Sequence, residues 1–203
     1  MKILAFTDIH GDKKLLKTLI AKSKKADVLV CCGDIAMFGA NLVSSLKTLA
    51  KANKPLLIIP GNHEDNRELQ HATSKLSFTT NLHKHYKIID NVCFVGYGEG
   101  GFARTEIGLE KYFKTFMKQG IHLNYPTIFI THAPPYKTKL DYIPYLKQHC
   151  GCKSTLHIIT TLKPLLCLSG HFHETFHKHD KIGKSILINP GDDGELIDTE
   201  KLK

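Results

Sequence analysis

Short apolar runs alternate with amphipathic stretches along most of the chain. The runs are rich in β-branched residues and predict the strands Lys2–Thr7, Asp27–Cys32, Pro55–Ile59, Val92–Val95, Thr127–Thr131, Leu165–Leu168 and Ser185–Ile188. Between them, Asp12–Lys25 and Asn41–Ala52 carry leucines on one helical face, which predicts amphipathic helices. The same pattern is weaker in Thr105–Lys118 and Ser154–Thr161. Alternating strands and helices, followed by a strand-rich end, predict an α/β fold.

The end of the sequence has the pattern of a hairpin. The segment ETFHKHDKIGKSILINPG predicts two strands joined by a turn at 181–184, with Gly183 in the turn. The stretch GYGEGGFA, from Gly96 to Ala103, has the composition of a loop. No repeat or linker divides the sequence, and 203 residues suit one compact domain. We therefore expect a single domain over residues 1–203.

Several classes of protein are disfavoured by the composition. No apolar run approaches the ~18 residues of a membrane-spanning helix, and the start, MKILAFTDIHGDKK, predicts a strand rather than a signal peptide. Four of the six cysteines lie in apolar runs, where buried thiols are ordinary. The pair Cys150 and Cys152 lacks the usual CxxC spacing of metal or redox sites. These features indicate a cytoplasmic protein with reduced thiols and no membrane partner.

The formal net charge is +9, and lysines cluster in DKKLLKTLIAKSKK. Such charges are typical of solvated helix faces, and they also attract phosphate-bearing substrates or nucleic acid. Readout of bases is not indicated, because arginines are few and no basic tract is interleaved with aromatic residues.

Polar side chains of the kinds that bind metals follow five of the apolar runs. They are Asp8 and His10, Asp34, Asn62 and His63, His132, and His171 with His173. One such group alone is commonly a helix cap or a turn, but five in succession predict a site. Sites of open α/β sheets form at the carboxyl ends of strands, so these ends can converge if the strands share a sheet. Glycines before Asp34, Asn62 and His171 would let the backbone turn sharply there.

All of these side chains except His63 are candidate metal ligands. One ion takes about four to six ligands, so seven donors that share a carboxylate suit two ions about 3.5–4 Å apart. Carboxylate, amide and imidazole donors without a thiolate favour Mn²⁺, Fe or Zn²⁺ over Ca²⁺. The sequence thus predicts two divalent metal ions as cofactors.

The motifs DxH, GD, GNH(E/D), a strand-terminal H and GHxH, in this order, resemble the calcineurin-like metallophosphoesterase superfamily. The resemblance extends from Asp8 to the NPGD at 189–192. It implies a four-layer α/β/β/α sandwich with a binuclear metal centre. The roles that it implies divide the ligands between two ions: Asp8, His10 and His173 on the first, Asn62, His132 and His171 on the second, and Asp34 bridging both.

The same resemblance implies a phosphoester hydrolase, either a phosphodiesterase or a phosphatase. Two cations would lower the pKa of a bridging water enough to give hydroxide near neutral pH, and they would stabilise charge on the phosphate. His63 would act as the acid that protonates the leaving oxygen. Neutral Asn62 keeps the negative charge of the centre low, and Glu64 is expected either to orient His63 or to face solvent.

The branch of the superfamily is narrowed by one departure and one similarity. Ser/Thr protein phosphatases also contain GNHE, but their second motif has the pattern GDxxDRG. This sequence reads GDIAMFGA at that place and lacks the second aspartate and the arginine of the motif. The short chain and SGHFHE are similar to small prokaryotic phosphoesterases, which implies a small-molecule or nucleotide phosphoester as substrate. We expect the loops Gly96–Arg104 and Ala133–Tyr145 to set specificity.

Two other functions stay open at this point. A metal-dependent nuclease of the same superfamily is favoured by the positive charge. A non-catalytic scaffold of this fold is disfavoured by the complete ligand set. The remaining histidines are expected mostly to be exposed, with His177 and His179 a weak candidate for an additional metal site: His71, His83, His85, His122, His149, His157, His177 and His179.

Overall fold

A computed structural model describes residues 1–202, which form two mixed β-sheets with helices on their outer faces. The strands are β1 Lys2–Phe6, β2 Val28–Cys31, β3 Leu56–Ile58, β4 Thr79–Asn81, β5 His85–Ile89, β6 Val92–Tyr97, β7 Thr127–Thr131, β8 Tyr142–Ile143, β9 Gln148–His149, β10 Leu166–Leu168, β11 His179–Ile182, β12 Ser185–Ile188 and β13 Glu195–Asp198. The α-helices are α1 Lys13–Ser23, α2 Leu42–Leu49, α3 Asn66–Ser74, α4 Ile107–Lys118, α5 Ile121–Asn124 and α6 Lys153–Leu162. Short 3₁₀ turns cover 50–52, 173–175 and 199–202.

Each sheet has a parallel centre; the first has one antiparallel edge strand and the second has two. The first has the order β13-β1-β2-β3-β4, with β13 antiparallel to β1 and the other pairs parallel. The second has the order β11-β12-β10-β7-β6-β5, with β11 and β5 antiparallel at its two edges. The small hairpin of β8 and β9 stands apart from both sheets. Parallel strands buried on both faces explain why the runs are nearly continuously apolar.

Three apolar clusters hold the layers together. One lies between the sheets and joins side chains such as Ala5 and Val30 to Phe94 and Ile130. The second packs α1, α2 and α3 on the first sheet, and the third packs α4 and α6 on the second. The order helix, sheet, sheet, helix confirms the predicted four-layer α/β/β/α sandwich.

Most predicted elements are present, and several were missed. The strands and the terminal hairpin agree with the prediction within a few residues, and so do the four predicted helices. Helix α3 was missed because it is polar and buries little more than Leu69 and Ala72. Strand β6 extends to Tyr97, so the predicted loop from Gly96 begins two residues later.

Within residues 1–202, no helix has both the length and the apolar character that crossing a membrane requires.

The five strands that precede the candidate ligands are divided between the two sheets. The ends that carry the candidate ligands do not share one sheet, because β1, β2 and β3 belong to the first sheet and β7 and β10 to the second. The two sheets face each other, so the loops after all five strands still meet at one edge of the sandwich. The order of apolar runs predicts strands, but it does not say which sheet each one joins.

Candidate metal centre

The loops at the carboxyl ends of these five strands bring the predicted site residues together. Three groups have ligand atoms that all lie within 4.8 Å of one another: Asp8 with His10 and His173, His10 with Asp34 and His63, and Asp8 with Asp34 and His132. The two remaining candidates join this cluster through hydrogen bonds. His132 Nε2 and His171 Nδ1 each lie 2.9 Å from Asn62 Oδ1. All seven candidate ligands and His63 therefore form one site.

Two buried carboxylates lie at the centre of the site. Asp8 is 4% exposed, and its Oδ2 accepts hydrogen bonds from the Thr7 hydroxyl at 2.6 Å and the His171 N–H at 2.9 Å. Asp34 is 2% exposed, and its Oδ1 accepts from the His63 N–H at 2.9 Å. The second oxygen of each faces a histidine: Asp8 Oδ1 is 3.6 Å from His173 Nε2, and Asp34 Oδ2 is 3.4 Å from His132 Nε2. Each carboxylate thus keeps one oxygen directed into the site.

Both carboxylates are ionised at neutral pH. Burial raises the pKa of Asp8, but the nearby imidazole of His173, the charge of His132 and hydrogen bonds from the Thr7 hydroxyl and the His171 N–H outweigh it and lower the pKa to about 2. Burial also raises the pKa of Asp34, but the adjacent charge of His132 and the hydrogen bond from the His63 N–H bring that pKa below its ordinary value. Two buried negative charges this close together favour positive charge between them.

The Nδ1 atom of His132 is held by the backbone and carries a proton. The ring is fully buried, and Nδ1 lies 2.9 Å from the Cys32 carbonyl oxygen, which can only accept. Nδ1 therefore donates, and Nε2 points to the site, as is usual for metal-binding histidines. Burial lowers the pKa of His132, but Asp34 and Asp8 outweigh it and raise the pKa to about 9. The raised pKa of His132 means that the two carboxylates stabilise a positive charge at this position.

The donor set fits divalent metal ions. Asp8 Oδ1, His10 Nδ1 and His171 Nε2 are buried and have no hydrogen-bond partner among residues 1–202. Buried polar atoms are nearly always paired, so unpaired ligand atoms gathered in one site point to an ion. Among the described residues, the groups able to hold a metal contain no cysteine, and all six cysteines are free thiols. Oxygen and imidazole donors favour Mn²⁺, Fe or Zn²⁺.

His63 lies at the rim of this site. Its ring packs between His10, at a centroid distance of 4.9 Å, and Phe38, at 4.4 Å. Its Nε2 is 3.9 Å from Asp34 Oδ2, and 22% of the side chain is exposed. An imidazole beside the carboxylates and open to solvent can hand a proton to a bound substrate. The same distances also permit His63 to be a metal ligand with His10 and Asp34.

Several candidate ligands have left-handed backbone conformations that direct their side chains into the site. Asp8, His10, Asp34 and His171 all have positive φ angles, of 53°, 48°, 53° and 74°. Gly61 is required by close approach, because a Cβ there would overlap the Asp34 carboxylate. A glycine in GNH is thus needed to bring Asn62 and Asp34 together.

Glu64 has a role that the sequence did not predict. The expectation that it orients His63 or faces solvent was wrong, because it is 6% exposed and binds backbone. Its carboxylate accepts the N–H groups of Asp34, Ala36 and Gly61 at 2.8 Å each. Glu64 therefore ties the loop after β2 to the loop after β3. Its position next to His63 in GNHE gave no indication of this.

Two exposed phenylalanines were also missed. Phe38 and Phe102 are 77% and 78% exposed, and each ring contacts a histidine of the site. The Phe102 ring lies 4.5 Å from that of His171. An isolated aromatic residue in a polar loop does not reveal in the sequence which element it will contact.

Among the other histidines, His83 departs from the expected exposure. It is buried, and its Nδ1 accepts the Gly98 N–H at 3.1 Å. His177 and His179 are exposed, but each pairs with its own carboxylate, Asp193 at 3.1 Å and Glu195 at 2.9 Å. Neither belongs to a group of three metal-ligating side chains in residues 1–202, so the weak candidate for an additional site gains no support.

Comparison with known proteins places the chain among phosphoesterases. A sequence model of the calcineurin-like phosphoesterase family matches residues 1–175. The uncharacterized protein MJ1162 of Methanocaldococcus jannaschii is 33% identical over 210 residues, covering 99% of this chain and 93% of that protein. The structure of TT1561 of Thermus thermophilus has a TM-score of 0.82 at 21% identity, covering 100% of this chain and 96% of that one. A dimetal phosphatase from Danio rerio has a TM-score of 0.62 at 12% identity, covering 93% and 86%.

Proposed function

The chain belongs to the calcineurin-like phosphoesterase family, and we propose that it hydrolyses small phosphoesters at a centre of two divalent metal ions. As a member of this family it is a metal-dependent phosphoric ester hydrolase. The observation that carries the binuclear centre is the set of unpaired, buried ligand atoms around two ionised carboxylates. The proposed substrates are small-molecule or nucleotide phosphoesters, either monoesters or diesters.

In this proposal the ligands divide between two ions. Asp8, His10 and His173 would hold the first, Asn62, His132 and His171 would hold the second, and Asp34 would bind both. The division is supported by the grouping of Asp8 with His10 and His173, and by the convergence of His132 and His171 on Asn62. When bound, such ions act as Lewis acids and generate a nucleophile from water at neutral pH.

The remaining steps belong to side chains of this chain. Asp8 and Asp34 are the carboxylates of the proposed ligand set, so two dications would leave the centre net positive for an anionic ester. His63, protonated, would donate to the leaving oxygen from the solvent-open rim. Asn62 orients without adding charge, because its amide is neutral.

The test is a substrate panel on metal-stripped protein reconstituted with Mn²⁺, Fe²⁺ or Zn²⁺. It contains p-nitrophenyl phosphate, bis(p-nitrophenyl) phosphate and the 2′,3′- and 3′,5′-cyclic nucleotides. We expect turnover of at least one ester that requires added metal and stops with EDTA. Absence of turnover on every ester, in protein shown to contain metal, would contradict the proposal.

A nuclease of the same family is the second candidate, and the net charge of +9 favours it. Digestion of single- and double-stranded DNA and RNA decides between the two. Intact nucleic acids beside rapid turnover of a small ester would remove the nuclease. A scaffold without catalysis is disfavoured, because it would have no use for unpaired buried ligand atoms.

A further inference from the structure

Three cationic side chains surround the ring of Tyr136. The Arg104 guanidinium carbon lies 5.4 Å from the ring centroid, Lys153 Nζ lies 5.6 Å away and Lys137 Nζ lies 5.8 Å away. Among the salt bridges formed by residues 1–202, none involves any of these three cations. Like charges around one ring repel one another, so this basic cluster favours a bound anion.

The basic cluster is held in place by backbone contacts between three segments. The Lys153 N–H donates to the Arg104 carbonyl at 2.8 Å, and the Tyr136 N–H donates to the Cys152 carbonyl at 3.1 Å. The Arg104 guanidinium donates to the His149 carbonyl at 2.6 Å. These bonds join the loop after β6, the loop after β7 and the start of α6. The cations are therefore anchored on a fixed frame.

A buried carboxylate stiffens the same frame. Asp141 is fully buried, and it accepts the N–H groups of Lys137, Thr138 and Gly151 at 3.0, 2.8 and 2.9 Å. The Nδ1 atom of His149 also lies 2.7 Å from Asp141 Oδ1. The Asp141 carboxylate thus binds backbone groups from both sides of the basic cluster and pairs with His149. It forms no salt bridge with the three cations.

The start of α6 lies beside the basic cluster. The helix begins at Lys153, its N-cap Cys152 makes no side-chain hydrogen bond, and its first turn contains no acidic residue. The N-terminus of a helix carries partial positive charge, which favours anions nearby. The Ser154 hydroxyl in this turn donates to the Glu110 carboxylate of α4, so the three cations, rather than the helix end, carry the attraction for an anion.

The basic cluster is connected to the candidate metal centre through two short segments of the chain. Phe102, two residues before Arg104, packs its ring 4.5 Å from that of His171. Gly101 approaches the same histidine so closely that a Cβ there would lie 2.7 Å from His171 Cε1. On the other side, Tyr136 follows the candidate ligand His132 by four residues. A substrate held at the metal centre could thus extend over Phe102 toward the cluster.

We propose that Arg104, Tyr136, Lys137 and Lys153 form a subsite for a second phosphate group of the substrate. This inference rests on the proposed function, and it makes the substrate a small phosphoester with one further phosphate, such as a nucleoside bisphosphate. Three cations around one ring match one dianionic group. A nucleic acid backbone would need a longer track of cations. Phe102 would contact the group that joins the two phosphates.

The kinetic test compares two variants that lose the same charge. The first combines Arg104→Gln, Lys137→Gln and Lys153→Gln. The control combines Lys17→Gln, Lys25→Gln and Lys47→Gln, all exposed on or near α1 and α2. With metal-reconstituted enzyme, we expect the first variant to raise KM for a nucleoside 3′,5′-bisphosphate roughly tenfold or more, with kcat little changed. Both variants should treat bis(p-nitrophenyl) phosphate as the wild type does.

Three outcomes would overturn the subsite. One is an unchanged KM for the bisphosphate in the first variant, and another is an equal loss on both substrates. The third is a higher kcat/KM of the wild type for an oligonucleotide than for the bisphosphate, which would transfer the cluster to nucleic acid binding.

A binding measurement separates failure of the subsite from failure of the proposed function. Inorganic phosphate is titrated into metal-free protein and followed by the ³¹P NMR linewidth. The wild type and the control should broaden the phosphate signal, and the first variant should not. Equal broadening by all three proteins would overturn the subsite even if esters are hydrolysed. A wild type that binds phosphate through the cluster but hydrolyses no ester would overturn the catalytic proposal alone.

Discussion

Individual residues of the candidate centre adopt backbone conformations that are costly elsewhere. The left-handed region of backbone conformation is seldom adopted by residues other than glycine. Four candidate ligands lie in it: Asp8, His10, Asp34 and His171. Each such residue costs on the order of 1–3 kcal/mol and persists where the surrounding structure compensates. Four of the seven candidate ligands adopt this conformation, which turns their side chains toward the site.

His63 could act as a general acid or as a metal ligand, and a mutation distinguishes the two roles. We predict that His63→Ala retains metal and loses about 10²–10⁴-fold in kcat/KM on esters with poor leaving groups, because these need the proton of a general acid. The loss should shrink for p-nitrophenyl esters, whose leaving anion is already stable. The measurement is kcat/KM across esters of graded leaving-group pKa, with metal content checked for each sample.

The control for this series is His71→Ala, which removes an exposed histidine from α3. An equal loss for every ester would contradict acid catalysis. Loss of metal from His63→Ala would instead make His63 a ligand, as its distances to His10 and Asp34 permit.

The sequence identified the members of the cluster but not how each is supported. Ligand-type residues at strand ends are visible one by one, so Asp8, Asp34 and His132 could be predicted. The burial of Glu64 and His83 could not, because both lie in polar stretches and are covered by elements distant in sequence. Their partners are backbone groups, which leave no pattern of side chains in a sequence.

Between elements, the loops after β2 and β3 depend on Glu64. Burial and the charge of Asp34 raise the pKa of Glu64 to about 7, against the lowering effect of three backbone N–H donors. Above this pH the carboxylate is ionised and accepts all three hydrogen bonds. The geometry of Asp34 and Asn62 therefore rests on a residue that the catalytic steps do not use.

We predict that Glu64→Gln lowers both stability and metal affinity. The amide nitrogen cannot accept an N–H, so at least one buried donor is left unpaired, at a cost of about 1–3 kcal/mol. The measurements are urea denaturation of the metal-free protein at pH 8 and titration with Mn²⁺. The control is Glu68→Gln, exposed on α3. A variant as stable as this control, with wild-type metal affinity, would show that Glu64 does not hold the loops.

Elements were predictable where the apolar periodicity is strong. Helix α1 illustrates this: Leu16 and Leu19 are buried, and Asp12 caps the helix through the N–H groups of Lys14 and Leu15 at 2.6 and 3.1 Å. Helix α3 is capped in the same way by Asp65, but its few apolar positions hide it. Sheet membership could not be predicted, because parallel strands buried on both faces look alike in sequence.

At the scale of the whole molecule, the candidate site forms where loops from the two facing sheets meet at one edge of the sandwich. The first sheet supplies Asp8, His10, Asp34, Asn62 and His63, and the second supplies His132, His171 and His173. The basic cluster is built only when loops after β6 and β7 meet α6, so the net charge of +9 predicts attraction to anions but not its location. A single domain over 1–203 stays a prediction.

The central claim is that Asp34 joins two ions in one centre, and metal content tests it most directly. Wild type, Asp34→Asn and the control Asp90→Asn, in an exposed turn, are reconstituted with Mn²⁺ and desalted, and metal per chain is measured by mass spectrometry. We predict about two ions per chain in wild type and control, and loss of both ions and of ester turnover in Asp34→Asn. One ion per chain in the wild type, or near-normal metal and rate in Asp34→Asn, would contradict it.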